Sequence, residues 1–479
     1  MKLVYNVQDR PGKTPGFTAG KLIVSALQQL LAIMAATIAV PAIIGNGMTA
    51  SAALFGAGVG TLVYLLFTKF RSPVFLGSSF AFLGSMTAAF AGGVSMSLGY
   101  LGLIIGAAMA GLVYVVIAII VKFAGVKWVN KLMPAVVIGP TVAIIGLSLA
   151  GNAVGDLVGH MAKDANGNYI MTTQGIMSMV CGLVTLAVTV VCSIYGKKFI
   201  KMIPFVMGIL AGYVLATIFT LIGNAASIDA LKVIDFSKFN DMQWYPDFTF
   251  LTAFKGGYEF GTVGSFGAYI GTIAVAYVPV AFVVFAEHIA DHKNLSTIIE
   301  KDLLTDPGLH RTLLGDGVGS IAGAFFGGCP NTTYGESVGC VAISGNASVA
   351  TIITTAVMAI VISFIGPFST FLATIPGCVM GGVCIALYGF IAVSGLKMIQ
   401  KVDLEDSSNL FVVSVILIAG VGGLSLKFGK ITVTEVACAL ILGILTNLLV
   451  KRGRKSTSGE NELNESETES KSENDGEVA

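Results

Sequence analysis

Ser72-Pro73-Val74-Phe75-Leu76-Gly77-Ser78-Ser79-Phe80-Ala81-Phe82 and Cys329-Pro330-Asn331-Thr332-Thr333-Tyr334-Gly335-Glu336-Ser337 are the two stretches whose reading decides the fold. Each is a short extended piece rich in Ser, Thr and Gly, followed by small apolar residues that can start a half-helix. Each lies within long apolar sequence. Non-helical backbone survives at membrane depth only where protein or a cavity satisfies its polar groups. Two such strands, paired with each other, meet that condition. The half-helices that follow them would aim free N–H groups and the positive ends of their dipoles at one central point.

The rest of the chain supplies the apolar surroundings. Of 479 residues 55% are hydrophobic and 11% charged, against about 25% charged in soluble domains. Such a chain cannot cover a water-facing surface, so lipid must be its solvent. The net charge of +1 argues against nucleic acid as a partner. The first apolar run, Leu22 to Ile44, is long enough to span a bilayer and reads as a membrane helix rather than a cleaved signal. Fourteen spans are expected, near 21–44, 49–68, 76–92, 98–121, 133–150, 173–195, 201–223, 264–290, 312–328, 332–346, 348–366, 370–394, 408–425 and 431–450. The expected fold class is an all-α polytopic membrane protein with short paired β-strands in spans three and ten.

Charge tests the count. With the N-terminus in the cytoplasm, 22 of the 28 Lys and Arg residues fall on the cytoplasmic side, as the positive-inside rule requires. They include Lys69, Arg71, Lys122, Lys127, Lys131, Lys197, Lys198, Lys201 and the Lys451–Lys455 cluster. The outer side keeps Lys163, Lys232, Lys238, Lys255, Lys427 and Lys430. One missed span would scramble this asymmetry. The expected location is therefore the plasma membrane, multi-pass, with both termini inside. Residues 1–20 read as a polar cytoplasmic tail, and 451–479 as a disordered acidic cytoplasmic tail. The seven cysteines sit in apolar surroundings without ligand spacing and read as packing residues, not metal ligands.

Span five begins Met133-Pro134 with Gly139 five residues after the proline; span twelve begins Ile375-Pro376 with Gly381 at the same offset. The short, Gly-rich spans fall third and tenth. Two seven-span halves fit, 21–223 and 264–450, separated by an outer loop at 224–263. An odd number of spans per half makes the repeats inverted, and paired broken spans at matching places point to a transporter's midplane site.

Ionisable residues inside spans each cost a few kcal/mol in lipid. Glu287 sits deep in span eight, and Glu336 where the half-helix of span ten starts, with no Lys or Arg near either in sequence. Asp316 and Glu435, nearer span ends, read as capping or interfacial. Two carboxylates and two half-helix N-termini suit a neutral planar nucleobase. The carboxylates accept from ring N–H groups and backbone amides donate to ring carbonyls. Phe80 and Tyr334 are placed to sandwich the ring, and Gly335 to let the backbone come close. One carboxylate carrying a proton for part of the cycle would make the transport a proton symport. On chemistry alone, other small polar solutes fit equally.

At these residues the chain resembles the nucleobase–ascorbate transporter (nucleobase:cation symporter) family, and within it the bacterial uracil permease branch. The resemblance covers about 15–450 and rests on Gly77-Ser78-Ser79-Phe80-Ala81-Phe82, Ala286-Glu287-His288-Ile289, Gly315-Asp316-Gly317 and Pro330-Asn331-Thr332-Thr333-Tyr334-Gly335-Glu336. It implies a core of spans 1–4 and 8–11, a gate of spans 5–7 and 12–14, and a homodimer through the gate. It implies that Glu287 and Glu336 hold the base, completed by the backbone of Phe80 and Gly335 and the packing of Ala36. Glu rather than Gln at 336 favours uracil over purine or xanthine. The chain departs from its relatives at Gln28-Gln29, where many read Gln-His. It departs again at Asp291, where some uracil permeases have His, and at Ser337, where the family has Asn. The proton would then pass through Glu287 or Glu336, with Asp291 either standing in on that route or facing the cytoplasmic water.

No cofactor is expected beyond the coupling ion, a proton in preference to sodium. An anion exchanger on the same architecture would meet repulsion from two carboxylates. A channel needs a continuous polar path, and an enzyme needs a metal cluster or a nucleophile–base pair; neither reads in this sequence.

Overall fold

Five hydroxyl residues, Thr18, Thr49, Ser95, Thr172 and Ser265, stand just before apolar runs. Each accepts a hydrogen bond from the backbone N–H three residues on, filling one of the donors that a helix start leaves unpaired. In the computed structural model, which describes residues 3–125, 134–159, 161–197, 199–428 and 431–450, these caps open five of the helices of membrane-spanning length. In chain order the elements are α1 (Ala19–Ile44), α2 (Ala50–Phe67), β1 (Leu76–Ser78), α3 (Leu83–Ala89) and α4 (Met96–Ala124). Next come α5 (Ala135–Ser148), α6 (Ala150–Leu157), α7 (Thr173–Tyr195), α8 (Pro204–Ala226), α9 (Phe266–Ile299) and α10 (Leu309–Gly327). Then follow β2 (Asn331–Thr333), α11 (Gly335–Ser344), α12 (Val349–Ile362), α13 (Gly366–Thr374), α14 (Gly377–Ile399) and α15 (Ser407–Val421). A hairpin of β3 (Leu426–Phe428) and β4 (Ile431–Val433) precedes α16 (Glu435–Val450). Expectations placed on Lys127, Lys131, Met133, Lys198, Lys430, the Lys451–Lys455 cluster and the acidic tail lie outside the described residues.

Among the described residues, eight helices are long and apolar enough to cross a membrane, nine if the bent pair α12–α13 counts as one span. The remaining apolar helices are shorter, as a broken span requires. Span boundaries differ from the sequence reading where proline or a strand intervenes. The twelfth run does not start at 370: α13 turns 85° from α12, and α14 begins only after Pro376, which caps it in extended backbone. Proline has no N–H to continue a helix and pushes the residue before it out of helical backbone. Pro134 caps α5 in the same conformation. The fourteenth run opens as strand β4 before α16.

β1 and β2 pair antiparallel, Leu76 with Thr333, Gly77 with Thr332 and Ser78 with Asn331, and Ser79 N–H extends the ladder to Pro330 C=O at 2.9 Å. The strands expected in spans three and ten therefore satisfy each other's backbone. Around them α2, α4, α9, α10 and α12 pack as one set, while α5, α7, α8, α14 and α15 pack as another. Small residues bring the helices together. A Cβ on Gly60 would meet the Gly319 carbonyl and one on Gly319 the Gly60 carbonyl; Gly139 and Gly395 stand in the same reciprocal relation between α5 and α14.

Residues 4–9 do not trail as a free tail. Val4 and Tyr5 N–H both reach Gly345 C=O, Ala347 N–H reaches Tyr5 C=O at 2.9 Å, and Val349 N–H reaches Val7 C=O at 3.0 Å. Val7 and Phe17 are buried. The segment folds because its backbone finds partners in the turn between α11 and α12.

Candidate functional site

Glu287 projects from the middle of α9. Glu336 occupies the first turn of α11, one residue after Gly335, and Tyr334 is the N-cap in extended backbone. Phe80 opens the short turn of 3₁₀ helix that links β1 to α3. The strand pair thus delivers two half-helix starts to one place. Phe80, Glu287, Tyr334, Gly335 and Glu336 line a common cavity of ≈ 40 Å³, more than the roughly 10–15 Å³ one water needs. Ile145 of α5 and Ile391 of α14 close it from the other helix set. A Cβ added at Gly335 would have no atom of the described residues within 4 Å.

The aromatic pair is placed unequally. Phe80 meets Tyr388 edge-on, with ring centroids 5.6 Å apart. Tyr334 is buried against Gly77, and its hydroxyl donates to Ser78 C=O at 2.6 Å, so this ring also props the strand pair. Ala36 is buried in α1 and stands outside the cavity lining.

Asp291 lies one helical turn beyond Glu287 and accepts from Thr333 Oγ1 at 2.8 Å. That bond ties α9 to β2 and turns this carboxylate towards the strand pair rather than to the water at the helix end. The two departures at Gln29 and Ser337 turn out to be partners: Gln29 Nε2 donates to Ser337 Oγ at 2.5 Å and to Ser337 C=O at 3.3 Å. Ser337 Oγ also accepts from Phe75 N–H at 3.2 Å, so one side chain links α1, α11 and the strand β1 approach.

Asp316 corrects the sequence reading. It is no cap: it sits inside α10, fully buried, with Oδ2 2.7 Å from His288 Nδ1. A carboxylate with no water to face needs such a partner. His288 Nε2 lies 2.9 Å from Thr312 Oγ1, and its ring stacks on His292 at 4.0 Å. His292 Nδ1 donates to His288 C=O at 2.8 Å, and its Nε2 lies 2.7 Å from the Tyr64 hydroxyl. Sequence reasoning passed over this buried network. Its signal was spacing: Glu287 and Asp291 on one stripe of α9, His288 and His292 on the next, each four residues apart.

Glu435, at the start of α16, stands in the wall of a larger cavity of ≈ 720 Å³. That cavity runs from Gly92, Thr262 and Ser425 down to Phe80, Ala81 and Ile145, which the two cavities share.

Comparison with known proteins agrees in sequence and in fold. The chain is 40% identical to the uracil permease of Bacillus caldolyticus over 94% of its own length and 95% of that protein. It is 37% identical to the uracil permease of Bacillus subtilis (strain 168), covering 91% and 94%, and 34% identical to that of Escherichia coli (strain K12), covering 89% and 90%. Among solved structures, the transmembrane domain of the cyanobacterial bicarbonate transporter BicA superposes with a TM-score of 0.59 at 16% identity, covering 88% of this chain and 96% of that one. Murine Slc26a9 in the inward-facing state gives 0.62 at 13%, covering 92% and 69%. At such identities these two speak for the fold alone. The profile of the permease family matches residues 20–427, and the chain, a multi-pass membrane protein rather than an enzyme, belongs to that family.

Proposed function

We propose that this protein carries uracil into the cell by proton symport through the Glu287–Glu336 cavity. The observation that carries the reading is the meeting of two carboxylates, a half-helix N-terminus and Phe80 on one enclosed space. A uracil ring offers N–H groups to the carboxylates and carbonyl oxygens to the backbone donors at the start of α11. Full-length identity of 34–40% to uracil permeases of three bacteria supports the same substrate. Entry runs through the larger cavity, with Phe80, Ala81 and Ile145 as the boundary it must pass.

The coupling proton rides on Glu287, with Asp291 and Glu336 as the nearby carboxylates through which it exchanges. Among the described residues no Lys or Arg lines this cavity, which suits a neutral substrate with a protonatable carboxylate better than the anions moved on related folds. Purine or xanthine symport is the second reading, and Glu rather than Gln at 336 stands against it.

Fourteen spans in two inverted halves also fit. Pro134 and Pro376 cap equivalent helices, 242 positions apart. A two-fold axis that exchanges α5–α6 with α14 maps the contact of Gly139 with Gly395 onto a contact of Gly381 with Ala153 of α6, and both occur. Short β1–α3 and β2–α11 then take the third and tenth places. The termini belong in the cytoplasm by the charge asymmetry, and a homodimer through the α5–α8 and α14–α16 set matches the family. Uptake of labelled uracil, challenged with excess purines and pyrimidines, tests the substrate: uracil should compete fully and xanthine poorly, and the reverse order would select the second reading.

A further inference from the structure

We infer that the N-terminal segment Tyr5–Asp9 is a positioning element of the substrate site, acting on Glu336 through the far end of α11. The inference rests on Glu336 as a substrate carboxylate. α11 has ten residues, too few for a helix to hold itself together without outside contacts. Its start is fixed by β2. One side is fixed by Gln29, which donates to Ser337. Its C-terminal end is Gly345, in left-handed backbone at φ 68°, a conformation that suits glycine. There the helix's own hydrogen bonds run out.

The N-terminal segment takes over at that point. Gly345 C=O receives both Val4 N–H at 2.8 Å and Tyr5 N–H at 3.2 Å. Tyr5 forms a parallel bridge with Asn346. Ala347 and Val349 N–H groups donate to Tyr5 and Val7 carbonyls, and Ser348 Oγ donates to Asp9 C=O at 2.6 Å. The segment is itself anchored. The Tyr5 ring stacks on Phe17 at 4.0 Å, its hydroxyl donates to Gly16 C=O, Val7 is buried, and Gln8 Nε2 reaches Phe70 C=O at 3.1 Å. It thus bridges the entry to α1, the α2–β1 turn and the α11–α12 turn. From Gly345 to Glu336 the helix rises about 13 Å, so loosening its anchored C-terminal end loosens the turn that carries the carboxylate.

The test uses full-length protein in proteoliposomes, as wild type, Tyr5→Ala/Ser348→Ala and Tyr5→Phe. Two quantities are read: the half-saturation and maximal rate of labelled uracil uptake, and hydrogen–deuterium exchange in residues 335–344. The double variant should raise half-saturation about threefold to tenfold, the worth of one net hydrogen bond. Its maximal rate should stay within about twofold, and exchange in α11 should quicken. Tyr5→Phe keeps the stack on Phe17 and loses only the hydroxyl bond to Gly16, so it should shift both quantities less than the double variant. Should the double variant not reach the membrane, Ser348→Ala alone should show the same two shifts at smaller size. A fall in maximal rate with unchanged half-saturation assigns the segment to folding and overturns the inference, as does unchanged exchange in α11. If wild-type protein does not take up uracil, the substrate reading fails, while exchange in α11 still decides whether the segment holds the helix.

Discussion

Replacing Glu336 with Gln separates substrate binding from helix stability. Glu336 opens α11 and faces the cavity beside Gly335 and Glu287. Gln keeps the length of the side chain but removes its charge and replaces one acceptor oxygen with a donor. A ring N–H held by this carboxylate loses a charged hydrogen bond, worth about 1.5–3 kcal/mol, or about 10- to 150-fold in affinity. The same change takes a negative charge from a helix N-terminus, worth about 0.3–1 kcal/mol. Binding should therefore fall well beyond any loss of stability. Calorimetric titration of the purified protein with uracil, run beside a thermal melt, reads both. An unchanged dissociation constant, or a loss of binding matched by loss of the folded protein, would refute the assignment of Glu336.

Other substitutions probe the neighbouring groups. Glu287→Gln mimics a permanently protonated carboxylate; it should exchange uracil across the membrane but not accumulate it uphill, and uphill accumulation at the wild-type level would move the coupling proton to Asp291 or Glu336. Gln29→Ala removes the donor to Ser337 Oγ and C=O and should weaken uracil affinity about threefold to tenfold, as one hydrogen bond is worth, with Gln29→Asn recovering little because its amide is one carbon short; equal affinity in all three proteins would show the link to be idle. Single cysteines at Asn240 and Asn464 in a cysteine-free chain should label from opposite sides, Asn240 from outside and Asn464 only after permeabilisation, and labelling of both from outside would break the even span count.

Much of this was legible because the bilayer imposes strong rules. Apolar length marked the long helices, and the Gly-Ser-Ser and Asn-Thr-Thr stretches marked the paired strands, since unpaired backbone in lipid has few remedies. Glu287 and Glu336 stood out as charges without nearby cations. What escaped was set by packing between distant segments. Asp316 looked like a cap because its partner, His288, is 28 residues away on another helix. Gln29 and Ser337, read as separate departures, are one contact across 308 residues. The N-terminal segment read as a polar tail, and nothing in it signalled that its backbone supplies donors and acceptors to a turn more than 330 positions on. Prolines shifted span ends that hydropathy alone blurred, as at Pro376.

Uptake of labelled uracil into proteoliposomes under an imposed pH gradient tests the central claim most directly. The account predicts saturable accumulation when the outside is the more acidic, rising as outside pH falls, collapsing with a protonophore even when a sodium gradient is kept, and reached in the Glu336→Gln protein only at about 10- to 150-fold higher uracil. Uptake that follows sodium and ignores protonophores contradicts the proton assignment, and xanthine accumulation without uracil accumulation contradicts the substrate.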